Sequence, residues 1–170
     1  MHGRTATAAA APRAEQVWAW LKSLADPEIP VVSVVDLGMI RDVTVHGETV
    51  EVSVAPTYSG CPATEVIEQG VIALLRDKGI ADVRLRRVLS PPWTTAWISE
   101  EGRAKLLAYG IAPPAEATSR RAITGAALKL ACPRCKSLET VQVSEFGSTP
   151  CKASWKCTHC LEPFEYFKCI

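Results

Sequence analysis

The sequence predicts a small two-layer α/β domain with a three-stranded sheet, followed by a short cysteine-rich β domain at the C-terminus. Three observations carry this. Apolar residues recur at helical spacing around Trp18 and again around Val71, period-two alternation marks strands between and after them, and six of the seven cysteines fall in the last 39 residues. With 48% hydrophobic and 22% charged residues, a chain of 170 has the balance of an ordinary globular protein with one sizeable core.

Residues 1–13 include a nearly all-alanine run that lacks the Leu and Val of a signal-peptide core, and they read as a disordered leader. From residue 14 to residue 24, Val17, Trp18, Leu21 and Leu24 share one helical face, and Asp26-Pro27 stops the pattern. A Val-rich extended segment follows. Residues 41–46 alternate, His46-Gly47-Glu48 supplies a tight turn, and Val50, Val52 and Val54 alternate again, which predicts a β-hairpin. The loop Pro56-Thr57-Tyr58-Ser59-Gly60 leads to Cys61-Pro62, which opens a helix carrying Val66, Ile67, Val71, Leu74 and Leu75 as far as Gly79. A third strand covers roughly residues 82–89 until Ser90-Pro91-Pro92 breaks it, and Ser99-Glu100-Glu101 starts a short helix ending at Gly110. Residues 14–110 thus form one α/β unit. Residues 111–129 mix Ala, Pro, Thr and Ser with paired arginines and read as a linker, leaving 130–170 as a second unit.

Charge excludes some partners. The formal net charge is +1, with eight Lys/Arg against four Asp/Glu in residues 120–170 and eleven against fourteen before them. Four cysteinates around one divalent ion cancel about half of that tail excess, so no basic stripe remains to argue for nucleic acid. The longest apolar runs, such as residues 31–35, are broken by residues like Asp36, far short of a membrane span. The expectation is a cytoplasmic protein with neither nucleic acid nor membrane as partner.

The tail cannot fold on apolar mass alone, since a piece of some forty residues needs a staple. Cys132-x-x-Cys135 and Cys157-x-x-Cys160 supply it, each pair presenting two sulfurs on one side of a backbone knuckle. A zinc-ribbon-like domain with structural zinc on Cys132, Cys135, Cys157 and Cys160 is expected. Soft thiolates also suit iron or an iron–sulfur cluster, and Cys151 and Cys169 are candidate additional ligands. His159 lies inside the second knuckle, where Cys160 already completes the spacing, and reads as a surface residue.

Cys61 stands apart from the other six. Placed after a Gly-containing loop and before Pro62, it is expected as the helix N-cap, where unpaired N–H groups and the helix dipole favour the nucleophilic, metal-ligating thiolate. The alternative is a small buried residue packing the strand–helix junction. Asp26, Glu28 and Thr57 have ordinary turn and loop roles open to them, whereas Asp36 sits among apolar residues and needs a partner if buried. No Gly-rich phosphate loop or dinucleotide fingerprint is present. Trp18 falls on the core face of its helix, which favours packing over base stacking for the tryptophans.

The stretch from Asp26-Pro-Glu-Ile-Pro to Asp36-Leu-Gly-Met-Ile-Arg-Asp-Val, with Pro56-Thr-Tyr-Ser-Gly-Cys-Pro-Ala, resembles the family of small SufT-like iron–sulfur assembly proteins over about residues 15–110. With Phe146-Gly-Ser-Thr-Pro-Cys-Lys-Ala and Glu162-Pro-Phe-Glu-Tyr-Phe-Lys-Cys-Ile included, nearly the whole chain is similar to the accessory proteins of bacterial phenylacetyl-CoA epoxidase systems. The resemblance implies a non-enzymatic assembly or maturation factor for the epoxidase, a ring 1,2-epoxidase of aerobic phenylacetate degradation. Its implied client is the iron–sulfur reductase subunit, with the other epoxidase subunits as further partners. It carries a reactive site over to Cys61, Asp26 and Glu28, with Asp36 and Thr57 lining it, for transient iron or an iron–sulfur cluster. A cluster usually needs four protein ligands, so a homodimer joining two Cys61 residues, a partner protein, or the extra tail cysteines would complete the site. The competing reading is a structural or docking subunit with no carrier role.

Overall fold

The computed structural model describes residues 12–58, 60–114 and 129–168. All of the expected leader except its last two residues, and Cys169, lie outside the described residues.

Helix α1 (Ala14–Leu21) buries Val17 and Leu21. It leads into a segment that differs from the extended run expected there. Residues 26–38 instead fold as a chain of turns that bury Ile29, Val32, Val34 and Leu37. Aspartate chemistry explains the difference. Asp26 Oδ1 accepts from the amides of Glu28 and Ile29 at 2.9 and 2.8 Å, and Ser33 and Asp36 cap each other's backbone N–H at 3.0 Å both ways. These local bonds offer the backbone an alternative to a strand ladder and outweigh the β-propensity of the valines.

Strands β1 (Ile40–His46) and β2 (Thr49–Val54) form the expected antiparallel hairpin, and β3 (Asp82–Arg87) joins β2 in parallel after the crossover through α2 (Ala63–Asp77). The order β1-β2-β3 puts β2 in the centre, where Val50, Val52 and Val54 are fully buried. Helix α2 lays Ile67, Val71 and Leu75 on this core and ends at Gly79, whose φ of +88° suits a glycine C-cap. After a short 3₁₀ turn (Thr95–Trp97), α3 (Glu100–Ala108) starts at Ser99, whose Oγ accepts from the Gly102 amide at 2.9 Å.

The chain then enters a second sheet, ordered β4-β7-β6-β5 from β4 (Ile111–Ala112), β5 (Thr140–Ser144), β6 (Lys152–Cys157) and β7 (Pro163–Phe167). The first two residues of the expected linker are therefore paired, in parallel with β7. Their side chains divide, Ile111 entering the core of the first unit and Ala112 that of the ribbon. Ala153, Trp155, Phe164 and Tyr166 fill the ribbon's own small interior, with Trp155 and Tyr166 edge to face at 6.4 Å. Cys151 and Phe167, at the opposite end of the same strands from the cysteine knuckles, are buried in the core of the α/β unit. Phe167 meets Trp93 there at a ring separation of 6.1 Å.

Gly38 tests the turn segment. It holds φ +67°, and an added Cβ would press on the Trp97 carbonyl and lie 2.7 Å from Trp97 Cβ. Gly38→Ala is expected to lower the unfolding free energy by about 2 kcal/mol or more. The check is the midpoint of a denaturant titration; an unchanged midpoint would mean that the turn adjusts freely.

Candidate functional site

Two groups of sulfur lie at opposite ends of β6. At the first, each knuckle is built the same way: the Cys132 amide donates to Ser137 O and the Cys157 amide to Glu162 O, both at 2.9 Å. Lys136 and Leu161, each directly after the second cysteine of its pair, both take positive φ, 64° and 65°. This repeated left-handed residue turns both sulfurs of a pair inward. Cys132 and Cys160 Sγ stand 3.7 Å apart, Cys135 and Cys157 Sγ 3.6 Å, and all four lie within 4.8 Å of one another. Four thiolates tetrahedrally placed about 2.3 Å from a zinc would be about 3.8 Å apart, so the residues fit such an ion.

Electrostatics at the knuckles agrees. Backbone donation from Cys160 leads the effects that draw the Cys157 thiol down to about 7. At Cys160 the Glu162 backbone is the largest single effect and lowers the thiol, but burial and the other three sulfurs together outweigh it and push it up to about 12. Four sulfurs this close cannot all ionise without a cation. His159 stays exposed, with Nδ1 3.9 Å from Glu139, and is no part of the group. Cys151 is no part of it either, and Cys169 is outside the described residues.

The second group surrounds Cys61. Helix α2 begins at Ala63 with Pro62 as its N-cap, so Cys61 sits one residue earlier than expected; the ring of Pro62 already sets helical φ, and Thr64 donates to Cys61 O at 3.1 Å. Cys61 is 8% exposed. On one side it borders an open cleft of about 460 Å³ with Pro56, Glu65, Arg87 and Leu89. On the other it lines a small, partly open cavity of about 10 Å³ with Asp26, Glu28, Met39, Thr57, Cys151 and Phe167.

The structure thus brings together Cys61, Asp26, Glu28 and Thr57 around one cavity, with Cys151 from the tail. Cys151 Sγ is 3.0 Å from Thr149 Oγ1 and 3.9 Å from Glu28 Oε2. Burial pushes the Cys151 thiol up, helped by the charges of Glu28 and Asp26 and opposed by Thr149 and Lys152. Glu28 is raised by burial and then by Asp26. Tyr58 was not singled out by its sequence context. Its hydroxyl is buried and is pushed up to about 12 by burial, by Cys61 beside it, and by the charges of Glu28 and Cys151.

Asp36 does not line the cavity. Besides capping Ser33, its Oδ2 accepts from Lys105 Nζ of α3 at 2.9 Å, which ties the turn segment to that helix. Burial pushes the Asp36 carboxyl up, but Lys105 and Ser33 outweigh it and hold it below the ordinary range. For Asp26, burial dominates over the two amide donors and the carboxyl is raised.

These opposite shifts give opposite pH dependences. A lowered carboxyl stabilises the fold above about pH 4 and loses that as pH falls through its folded pKa, whereas a raised one loses stability as pH rises through its folded pKa. Relative to wild type, Asp36→Asn is therefore expected to lose melting temperature, and Asp26→Asn to gain it, as pH goes from about 3 to about 7. Thermal melts across that range check this, and trends of the same sign would contradict it.

Comparison with known proteins matches both ends of the molecule. Residues 14–84 match the family described as iron–sulfur cluster assembly protein, and residues 116–168 match the PaaD zinc beta ribbon domain. A solved domain of unknown function, DUF59, from Bacillus anthracis superposes with a TM-score of 0.52 at 26% identity, covering 55% of this chain and 90% of that one. A conserved hypothetical protein from Thermotoga maritima gives 0.50 at 27%, covering 58% and 98%. Among the described residues no helix is long and apolar enough to cross a membrane. A protein of Escherichia coli (strain K12), provisionally named as one of the subunits of 1,2-phenylacetyl-CoA epoxidase, is 44% identical over 161 residues, 95% of this chain and 96% of that one. With an assembly-type domain joined to a cysteine ribbon and a relative this similar along its whole length, the chain belongs to the PaaD family of phenylacetyl-CoA epoxidase proteins.

Proposed function

We propose that this chain is a cytoplasmic, non-enzymatic maturation factor that holds iron or an iron–sulfur cluster transiently at Cys61 and passes it to the iron–sulfur reductase subunit of a phenylacetyl-CoA epoxidase. One observation carries the reading: in the assembly-type domain, over residues 14–110, Cys61 stands between a wide cleft and a small cavity lined by Asp26, Glu28 and Thr57. A thiol in that place is only 8% exposed yet borders an open cleft of about 460 Å³. Iron favours such a thiol and carboxylate set.

The ribbon, over residues 130–170, has a different part. Cys132, Cys135, Cys157 and Cys160 would hold zinc with all four positions taken by protein, which would make the ion structural rather than a Lewis acid for substrate. When bound, it supplies folding energy to the tail.

The docking reading also has support. Strand β5 leaves Val141 and Val143 exposed on the ribbon, flanked by exposed Leu138 and Phe146, and edge strands with apolar side chains invite a partner. The two readings separate in one experiment. The reductase is co-produced with the wild-type chain or with Cys61→Ser, and its iron and acid-labile sulfide are measured. A severalfold fall in cluster content with Cys61→Ser is expected, at unchanged co-purification. Equal content in both would leave docking alone.

A further inference from the structure

The carrier reading leaves a gap, because one thiolate is a poor ligand set for any ion, and the usual remedy is a second copy of the chain. The structure offers a nearer source. Cys151 is 4% exposed, belongs to the same core cluster as Cys61, and lines the same cavity, although 90 positions separate them in sequence. It reaches this place because β6 carries it there, with the knuckle cysteine Cys157 at the strand's other end.

The remaining cavity groups suit an ion. Glu28 Oε2 is 3.9 Å from Cys151 Sγ, and Met39 also lines the cavity. Asp26 is less free, since its Oδ1 accepts two amides. Lys152 is the neighbouring cation, yet its Nζ is bound to Glu165 Oε2 at 2.8 Å. Two buried thiolates beside a carboxylate would have only this shared lysine as counter-charge, so a further cation would be favoured there. The size of the space limits what can enter. About 10 Å³ is near the minimum that holds one water, enough for a single ion and too small for a cluster. Paired sulfurs with one carboxylate select a borderline-soft divalent ion such as ferrous iron over magnesium or calcium.

Among the described residues only the four knuckle cysteines bring three or more ligand atoms within 4.8 Å. Cys61, Cys151 and Glu28 are not gathered that tightly. Resting on the carrier reading above, we propose that Cys61 and Cys151 of one chain, with Glu28, form a one-ion site for a thiophilic divalent cation, completed by the ribbon and not by a second copy.

Cobalt(II) is the probe, because thiolate ligation gives it a near-ultraviolet charge-transfer band. It is added without oxygen to the full chain carrying one zinc in the ribbon, and retained zinc is assayed alongside. The expected result is one further cobalt per chain with the thiolate band. Its affinity should fall at least tenfold in Cys61→Ser and in Cys151→Ser, roughly the least that losing even an outer partner costs a metal site. In the wild-type chain the cobalt should slow alkylation of Cys61 and Cys151 together, a readout that needs no variant to fold. Loss of binding in Cys61→Ser but not in Cys151→Ser, or protection of Cys61 alone, overturns this inference and leaves the carrier reading standing. Half a cobalt per chain in a sedimenting dimer overturns it in favour of two Cys61 residues. No cobalt beyond the ribbon's zinc also overturns it, and the carrier reading is then judged by the reductase's cluster content.

Discussion

Strands β6 and β7 are held at both ends by different forces, and the arrangement of the whole chain follows from that. At one end Cys157 and Cys160 belong to the four-sulfur group; at the other Cys151 and Phe167 are packed into the core of the α/β unit. A ribbon of this size has little interior of its own, chiefly Trp155, Phe164 and Tyr166, so it depends on the metal-binding knuckles for its shape. At about 3.3 Å per residue, the six residues of β6 separate the two ends by about 20 Å. An ion in the knuckles would thus lie about a strand's length from Cys151, at the far end of the strands that carry Cys151 and Phe167 to the Cys61 cavity.

That division of labour explains how the carboxylates are used. Asp36 is committed to Ser33 and Lys105 and holds the turn segment against α3. Asp26 shapes the turn on which Glu28 is carried, spending its own oxygen on backbone amides. Glu28 is left facing Cys151. The segment between α1 and β1 is therefore a scaffold that presents one carboxylate and closes one wall of the cavity. The solved relatives from Bacillus anthracis and Thermotoga maritima match little more than half of this chain while being nearly covered themselves, so the ribbon's contribution to that cavity is a feature of the longer PaaD architecture.

Much of this was legible in the sequence because local signals agreed with the fold. Val50, Val52 and Val54 alternate and are buried in the central strand, Gly79 and Gly110 end their helices with positive φ, and the two Cys-x-x-Cys knuckles form one group. The Val-rich turns were misread as extended because β-propensity was weighed without the aspartate and serine side chains that cap those amides. Asp36 was placed with Cys61 by resemblance, whereas its partner Lys105 lies 69 positions away. The sequence leaves Cys151 open to two places, the Cys61 site and the knuckle sulfurs nearest to it in the chain. A six-residue strand carries it away from them, and nothing local in Pro150-Cys151-Lys152 reveals where that strand ends up in space.

The central claim is that the folded ribbon closes the Cys61 cavity. The most direct measurement is the rate of Cys61 alkylation, resolved by peptide mass spectrometry, before and after a chelator strips the ribbon's metal. The account predicts slow alkylation of Cys61 and Cys151 in the metal-loaded chain, with both rates rising together once the metal is gone. A Cys61 rate that stays the same while the ribbon unfolds would contradict it.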